Sequence, residues 1–205
     1  MAPRIIFVNG NIGAGKETII LHIQEVLSNH GYGVKVALEP VSLWRESGML
    51  DRLYGGEYLE FQMYAITTRI NEIYVKHQEA LMEGSDFLLV ETNPLVDLNV
   101  YAKTNLTEME FLEYKLHWNR EVRLLKFNIA GCINLFLSVP PEVSASRITT
   151  RARNEESAIE LSYLRKLYYS HLIHNENVKP LVVIYNNCAV YDNFQLKAFI
   201  DCLLQ

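Results

Sequence analysis

Several kinds of protein are argued against by what this sequence has little of. Its 205 residues include only Cys132, Cys188 and Cys202, an odd number, widely spaced and without a CxxC pair. That spacing supplies neither a disulfide framework nor a cysteine zinc site, and it reads as reduced core cysteines in a reducing compartment. Histidine is thin as well. Among six scattered residues only His171 and His174 form a helical pair, and no cysteine stands near them to build a metal site. No apolar run approaches the roughly 20 residues that a membrane-spanning helix needs. Acidic residues outnumber basic ones by 24 to 19, so no excess of positive charge is available to coat a polyanion. Repeats, low-complexity stretches and linkers are absent too. Met-Ala-Pro-Arg runs straight into an apolar segment and leaves no room for a signal peptide. These absences predict a soluble cytoplasmic chain folded as one domain, 1–205.

What is present is an alternation. Short, near-continuous apolar runs at Ile5–Asn9, Val34–Leu38, Phe87–Glu91, Ile133–Leu137 and Leu181–Tyr185 read as strands buried on both faces of a parallel sheet. Helical patterns lie between them, at Lys16–Ser28, Leu43–Tyr54, Glu57–Glu83, Leu95–Lys103, Thr107–Phe127, Glu142–Arg151, Glu160–Glu176 and Asn193–Leu203. Thr107 with Glu110 predicts a capping box, and Pro141 stands where a helix can begin. The prediction is a three-layer α/β fold, whose ligands bind beyond the carboxyl ends of the strands.

At the first such end, Gly10-Asn11-Ile12-Gly13-Ala14-Gly15-Lys16-Glu17-Thr18 fits a phosphate-binding P-loop at Gly10, Gly15 and Lys16. Glycines let successive N–H groups turn toward phosphate oxygens, Lys16 reaches the outer phosphates, and the following helix adds its positive end. Position 17 departs from the pattern, because Glu17 replaces the hydroxyl residue that ligates Mg²⁺. Glu17 is therefore either an unusual metal ligand or a sign of weakened chemistry.

Other strand ends carry charge. Glu39, held extended by Pro40, could accept a proton from a substrate hydroxyl that attacks a γ-phosphorus. Glu91 ends an apolar run and needs a partner, either Mg²⁺ or a local Lys or Arg. Gln62 and Arg69 share one face of the long helix with Phe61, and Asp97 on another helix could pair with Arg69. That set reads equally as a helix–helix salt bridge or as a hydrogen-bonding floor for a flat polar ligand. Arg147, Arg151 and Arg153, leading into Asn154-Glu155-Glu156, read as a phosphate-clamping lid at 147–158 or as a solvated helix end.

In combination these motifs resemble the cellular and viral deoxynucleoside kinases, particularly the deoxycytidine/deoxyguanosine kinase branch. The resemblance rests on GNIGAGKET, on Glu39-Pro40-Val41 with Trp44-Arg45, on Phe61-Gln62 with Arg69, and on the lid Arg147 to Glu156 followed by Tyr163-Leu164. It implies a P-loop kinase fold with a five-stranded parallel sheet, usually as a homodimer, in the cytoplasm (the host's, if viral). It further implies Mg²⁺ and ATP or another nucleoside triphosphate as donor. Residue by residue, it implies Glu39 as general base and Lys16, Arg147 and Arg151 on phosphates. Gln62, Arg69 and Asp97 would read the base, with Trp44 and Tyr101 packed against it and Phe61 among the substrate-binding residues. Tyr54 and Glu156 would hold the sugar 3′-hydroxyl, with Arg153 beside the substrate. The family's Glu-Arg-Ser at the third strand end is Glu91-Thr92-Asn93 here. The expected activity is 5′-phosphorylation of deoxynucleosides, with deoxycytidine and purine deoxynucleosides favoured over thymidine. The alternatives are a thymidylate-like nucleoside monophosphate kinase and a catalytically weakened nucleotide-binding protein.

Overall fold

The computed structural model describes residues 2–186 and 193–205, so Met1 and Cys188 lie outside the described residues. Five strands form one sheet: β1 (Arg4–Gly10), β2 (Val34–Ala37), β3 (Phe87–Glu91), β4 (Ile133–Ser138) and β5 (Leu181–Tyr185). Every pairing is parallel and the order is β2-β3-β1-β4-β5. Alternation along the strands divides the core in two. Ile6 and Val8 of β1, with Phe87 and Leu89 of β3, pack against α1 (Lys16–Asn29) and the C-terminal helix. Ile5 and Phe7, with Leu88 and Val90, point the other way, onto the helices that follow β2 and β3. The predicted three layers and parallel sheet are those observed.

The expected helix over Leu43–Tyr54 is two helices, α2 (Val41–Glu46) and α3 (Met49–Tyr54). Gly48 sits between them at φ 72°, a left-handed turn that a helix cannot continue through. Next comes α4 (Tyr58–Glu83), 26 residues long and buried along Phe61, Gln62, Ala65, Ile66, Arg69, Ile70 and Ile73. The expected helix Leu95–Lys103 is α5 (Pro94–Val96), then a π-helical turn over Asp97–Ala102, then α6 (Lys103–Asn105). Beyond it, α7 (Glu108–Glu121) has the predicted capping box: Thr107 Oγ1 accepts from Glu110 N, and Glu110 reaches back to Thr107 N. It ends earlier than the pattern suggests, passing into a short 3₁₀ turn at Val122–Leu124. The remaining helices are α8 (Pro141–Arg151), starting at its proline as expected, α9 (Leu161–Asn175) and α10 (Phe194–Leu203). Two cysteines differ from the core placement expected of them: Cys132 is half-buried and Cys202 exposed, and both are free thiols. Among the described residues, no helix is long and apolar enough to cross a membrane.

Candidate active site

All five strands end on one side, and a cavity of about 430 Å³ opens there. Its floor is the P-loop between β1 and α1. Gly13 has φ 75°, and a Cβ added to it would meet Ser144 O at 2.7 Å, so only glycine lets the loop lie this close to α8. Residues Ile12 to Thr18 line the cavity, Glu17 among them. Gly10 and Asn11 do not, and they brace the loop from behind. Gly10 O accepts from Tyr101 Oη at 3.3 Å and Lys16 Nζ at 3.5 Å, while Asn11 Nδ2 donates to Leu164 O at 2.8 Å.

Lys16 also faces Glu91, with Nζ 3.7 Å from Oε1. Glu91 is therefore paired with a lysine, one of the two partners its sequence position allowed. Burial, reinforced by the negative charge of Glu39, lifts the Glu91 pKa to about 7. Its other oxygen accepts from Glu39 N at 3.1 Å, fixing the start of the β2–α2 connection.

Glu39 lines the cavity, 15% exposed at its side chain. Its Oε1 accepts twice, from Thr92 Oγ1 at 2.7 Å and from Arg69 Nη2 at 2.8 Å. Burial works to raise its pKa. The positive charges of Lys16 and Arg69 and these two hydrogen bonds outweigh burial, and the net shift is downward. Glu39 is charged at neutral pH.

Arg69 carries a second carboxylate on Nη1, that of Asp97, so the pairing suggested by the sequence is present and is shared with Glu39. Burial raises the Asp97 pKa to about 6 against the opposing pull of Arg69. Asp97 and Tyr101, four residues apart on the π-helical turn, both reach the cavity. Three buried polar atoms around this end have no hydrogen-bond partner: Gln62 Oε1, Asp97 Oδ2 and Arg69 Nε. Buried polar atoms are rarely left so in a finished core, and all three residues line the cavity. Trp44 stands over them. Its ring meets Phe61 edge-on, its Nε1 donates to Thr68 Oγ1 at 2.8 Å, and the Arg69 guanidinium lies 5.3 Å from its centroid.

The lid residues take up three different positions. Arg147 does not line the cavity; it donates to Ala14 O at 3.1 Å and Asn186 O at 3.0 Å, tying the P-loop to the end of β5. Arg151 lines the cavity, and Nε and Nη2 clamp Glu156 at 2.6 and 2.5 Å. Arg153 Nη1 adds a third, looser contact to Glu156 at 3.6 Å. Tyr54 lines the same wall, where burial and the Glu156 charge push its hydroxyl pKa up. Two features were missed by sequence reasoning. Arg45 reaches across from α2 to hold Glu155 at 2.6 Å, and Leu38, Ser42, Leu50 and Leu53 also line the cavity. The i, i+3 spacing of Leu50 and Leu53 was the one available signal.

A P-loop facing a half-buried carboxylate across one cavity is the arrangement of a phosphotransferase. The profile of one such family, deoxynucleoside kinase, matches residues 6–198, and the chain belongs to that family. It is accordingly an enzyme, a kinase, and the family implies a nucleoside triphosphate as phosphate donor. The "Probable deoxycytidine kinase" of Fowlpox virus (strain NVSL) is 29% identical over 175 residues, spanning 81% of this chain and 69% of the relative. Human deoxycytidine kinase is 28% identical over 196 residues, spanning 81% of this chain and 73% of its own length. A solved structure of deoxyadenosine kinase from M. mycoides, with the products dCMP and a flexible dCDP bound, shares the fold. Its TM-score is 0.72 at 24% identity, over 97% of this chain and 98% of that one.

Two carboxylates on the cavity wall have the donor chemistry that suits Mg²⁺. Glu17 and Glu91 are hard oxygen donors on the cavity wall, and Mg²⁺ beside triphosphates is commonly held by one or two carboxylates with phosphate oxygens. Among the described residues no group of three or more His, Cys, Asp or Glu is placed to hold a metal by itself.

Proposed function

We propose that this chain transfers the terminal phosphate of ATP, or of another nucleoside triphosphate, to the 5′-hydroxyl of a deoxynucleoside, with Glu39 as general base. The observation carrying this reading is a charged, doubly held carboxylate on the wall of the cavity whose floor is the P-loop. As the acceptor oxygen bonds to the γ-phosphorus, its proton passes to Glu39; the bond to the leaving diphosphate breaks, and the diphosphate keeps the electron pair. Lys16 and Arg151, with Arg147 behind the loop, would balance charge on the phosphates. Mg²⁺ held at Glu17 and Glu91 would neutralise part of the triphosphate charge. Tyr54 and Glu156 would hold the sugar, with Arg153 at the lid. Trp44, Phe61 and Tyr101 would sandwich the base.

The proposed preference is for deoxycytidine and purine deoxynucleosides over thymidine. Gln62 Oε1 and Asp97 Oδ2 are both acceptors without donors. An exocyclic amine, as cytosine and adenine carry, donates to such atoms. Thymine offers only a ring N–H and sets a methyl group against the rigid Arg69–Asp97 pair. A nucleoside monophosphate kinase would need free cations on the acceptor side, yet Arg69 is already engaged by two carboxylates there. The homodimer implied by family resemblance is supported by exposed apolar residues on two neighbouring helices, Met82 on α4 and Met109, Leu112 and Leu116 on α7. A reducing cytoplasm suits the free thiols of Cys132 and Cys202.

The test is steady-state phosphorylation of deoxycytidine, deoxyadenosine, deoxyguanosine and thymidine with MgATP, run on the parent and on Glu39→Gln. The parent should turn over, with thymidine poorest. Glu39→Gln should lower kcat by about 100-fold or more while the nucleoside still binds. Binding without turnover in the parent would favour the weakened nucleotide-binding protein, and near-parental kcat in the variant would remove Glu39 from the role of base.

A further inference from the structure

Thr92 follows β3 in a conformation its side chain disfavours. It lies at φ 67°, in the left-handed region that β-branched residues avoid, and it is 1% exposed. Strain of that kind persists only where the surroundings over-determine the backbone, and here they do. Thr92 N donates to Val8 O at 3.0 Å, extending the β1–β3 ladder by one bond. The next residue, Asn93, is pinned on three polar atoms. Its N donates to Asn9 Oδ1 at 2.8 Å, its Nδ2 to Asn134 Oδ1 at 2.9 Å, and its Oδ1 accepts from Leu95 N at 2.8 Å. Asn9 and Asn134 are themselves joined at 3.1 Å, so three buried asparagines from three chain segments lock the turn.

What the locked turn delivers is one hydroxyl. Thr92 Oγ1 donates to Glu39 Oε1 at 2.7 Å, and Arg69 Nη2 donates to that same oxygen at 2.8 Å. Both bonds fall on Oε1, and no described residue hydrogen-bonds to Oε2. From the other side, the Glu39 backbone is fixed through its N–H on Glu91. A carboxylate held by one oxygen in this way has a defined plane and presents the other oxygen alone.

We infer that Thr92 is a positioning residue for Glu39: together with Arg69 it holds Oε1, leaving Oε2 as the oxygen that takes the proton of the acceptor hydroxyl. This rests on the reading of Glu39 as general base, and it adds a task for the residue that stands where the family resemblance leads one to expect arginine. The proton moves from the hydroxyl to Oε2 as the new oxygen–phosphorus bond forms and the diphosphate departs with its electron pair. Thr92 touches neither reactant and acts only through Glu39.

The experiment compares Thr92→Val, Thr92→Gly and Thr92→Ser with the parent and with Glu39→Gln. For each protein, kcat, the KM values for deoxycytidine and MgATP, and the thermal midpoint are measured. Valine keeps the branched shape and removes the hydroxyl. Glycine removes the hydroxyl and also the backbone strain, since positive φ suits it, so it tests the role in a chain that folds at least as readily. Serine keeps the hydroxyl. Valine and glycine should each lower kcat about tenfold or more, the scale of a lost hydrogen bond to a charged group, with KM for deoxycytidine within about twofold of the parent. Serine should keep kcat within about twofold. A purely structural threonine predicts the opposite ranking: glycine as fast as the parent, with only the thermal midpoint altered. Parental kcat in the glycine variant, or serine as slow as glycine, overturns the inference. If Glu39→Gln is slow and Thr92→Gly is not, only the role of Thr92 falls. If Glu39→Gln itself runs at the parental rate, the base and its positioning residue fall together.

Discussion

The two halves of the cavity are built in opposite ways. On the side proposed for the acceptor, a chain of contacts runs from Thr92 through Glu39 and Arg69 to Asp97, and Gln62 Oε1 and Asp97 Oδ2 are left without a partner. On the side proposed for the donor, Lys16 and Arg151 are already engaged, by Glu91 and by Glu156, while Arg147 ties the P-loop to the end of β5. A triphosphate must compete with those partners for its cations. Preorganised donors and acceptors act without rearrangement at the moment of reaction, whereas engaged ones must first be released. The acceptor half is therefore expected to set specificity, and the donor half to set sensitivity to metal and salt.

The largest way to break this contrast is to dismantle the rigid wall of the acceptor half. Arg69→Met with Asp97→Ala removes both charges together, so neither is left buried alone. Thymidine should then gain on deoxycytidine by about 10- to 200-fold in kcat/KM, the worth of one methyl against a fixed wall. Because Arg69 also holds Glu39 at 2.8 Å, kcat should fall for both substrates while their ratio shifts. Arg69→Met alone strands Asp97 and should lower the thermal midpoint as well as kcat. An unchanged ratio in the double variant would mean that specificity is set elsewhere.

How far the sequence alone reached follows the same division. Runs of apolar residues predicted all five strands to within a residue or so, because burial on both faces leaves a continuous signal. The pairing of Arg69 with Asp97 was open to inference, since two charges on apolar faces need each other. Contacts between residues far apart in the chain were not. Thr92 and Glu39 are 53 residues apart and Arg45 and Glu155 are 110 apart, and no local periodicity encodes such a meeting. Arg147 was grouped with Arg151 by spacing, yet one holds the P-loop and the other faces the cavity. The π-helical turn at Asp97–Ala102 was read as ordinary helix, because a one-residue widening leaves the hydrophobic pattern intact.

A smaller effect should come from Glu17, an exposed carboxylate on the donor half of the wall. Near triphosphate oxygens it repels them unless a cation intervenes, at roughly 1 kcal/mol for a pair about 4 Å apart in water. Glu17→Ser should lower the KM for ATP about fivefold at limiting Mg²⁺ and much less at saturating Mg²⁺, with KM for deoxycytidine unchanged. A titration of Mg²⁺ against EDTA at fixed ATP reads this directly. A variant whose acceptor KM moved as much as its donor KM would show that the two halves are not separable at this residue.

The smallest effect belongs to an exposed contact between the lid and the acceptor side. Arg45, on α2 beside Trp44, donates through Nε and Nη2 to Glu155 Oε1 at 2.9 and 2.6 Å, fastening the lid to the acceptor side. Arg45 is 49% exposed, so water and salt screen the pair and its worth falls in the range of about 0.2–1 kcal/mol. Glu155 is only 14% exposed, which places the contact toward the upper part of that range. Arg45→Ala should thus change KM for ATP by about two- to fivefold, because the freed lid holds Arg151 less firmly over the P-loop. The same measurement at about 1 M salt should find parent and variant alike, since at that ionic strength the screening length shrinks to about 3 Å. KM for deoxycytidine should stay within about twofold at either salt concentration, as Gln62, Arg69 and Asp97 keep their contacts. An effect that survived high salt would assign Arg45 a packing role against Trp44 in place of a latch. An effect confined to deoxycytidine would move the lid from the donor half to the acceptor half.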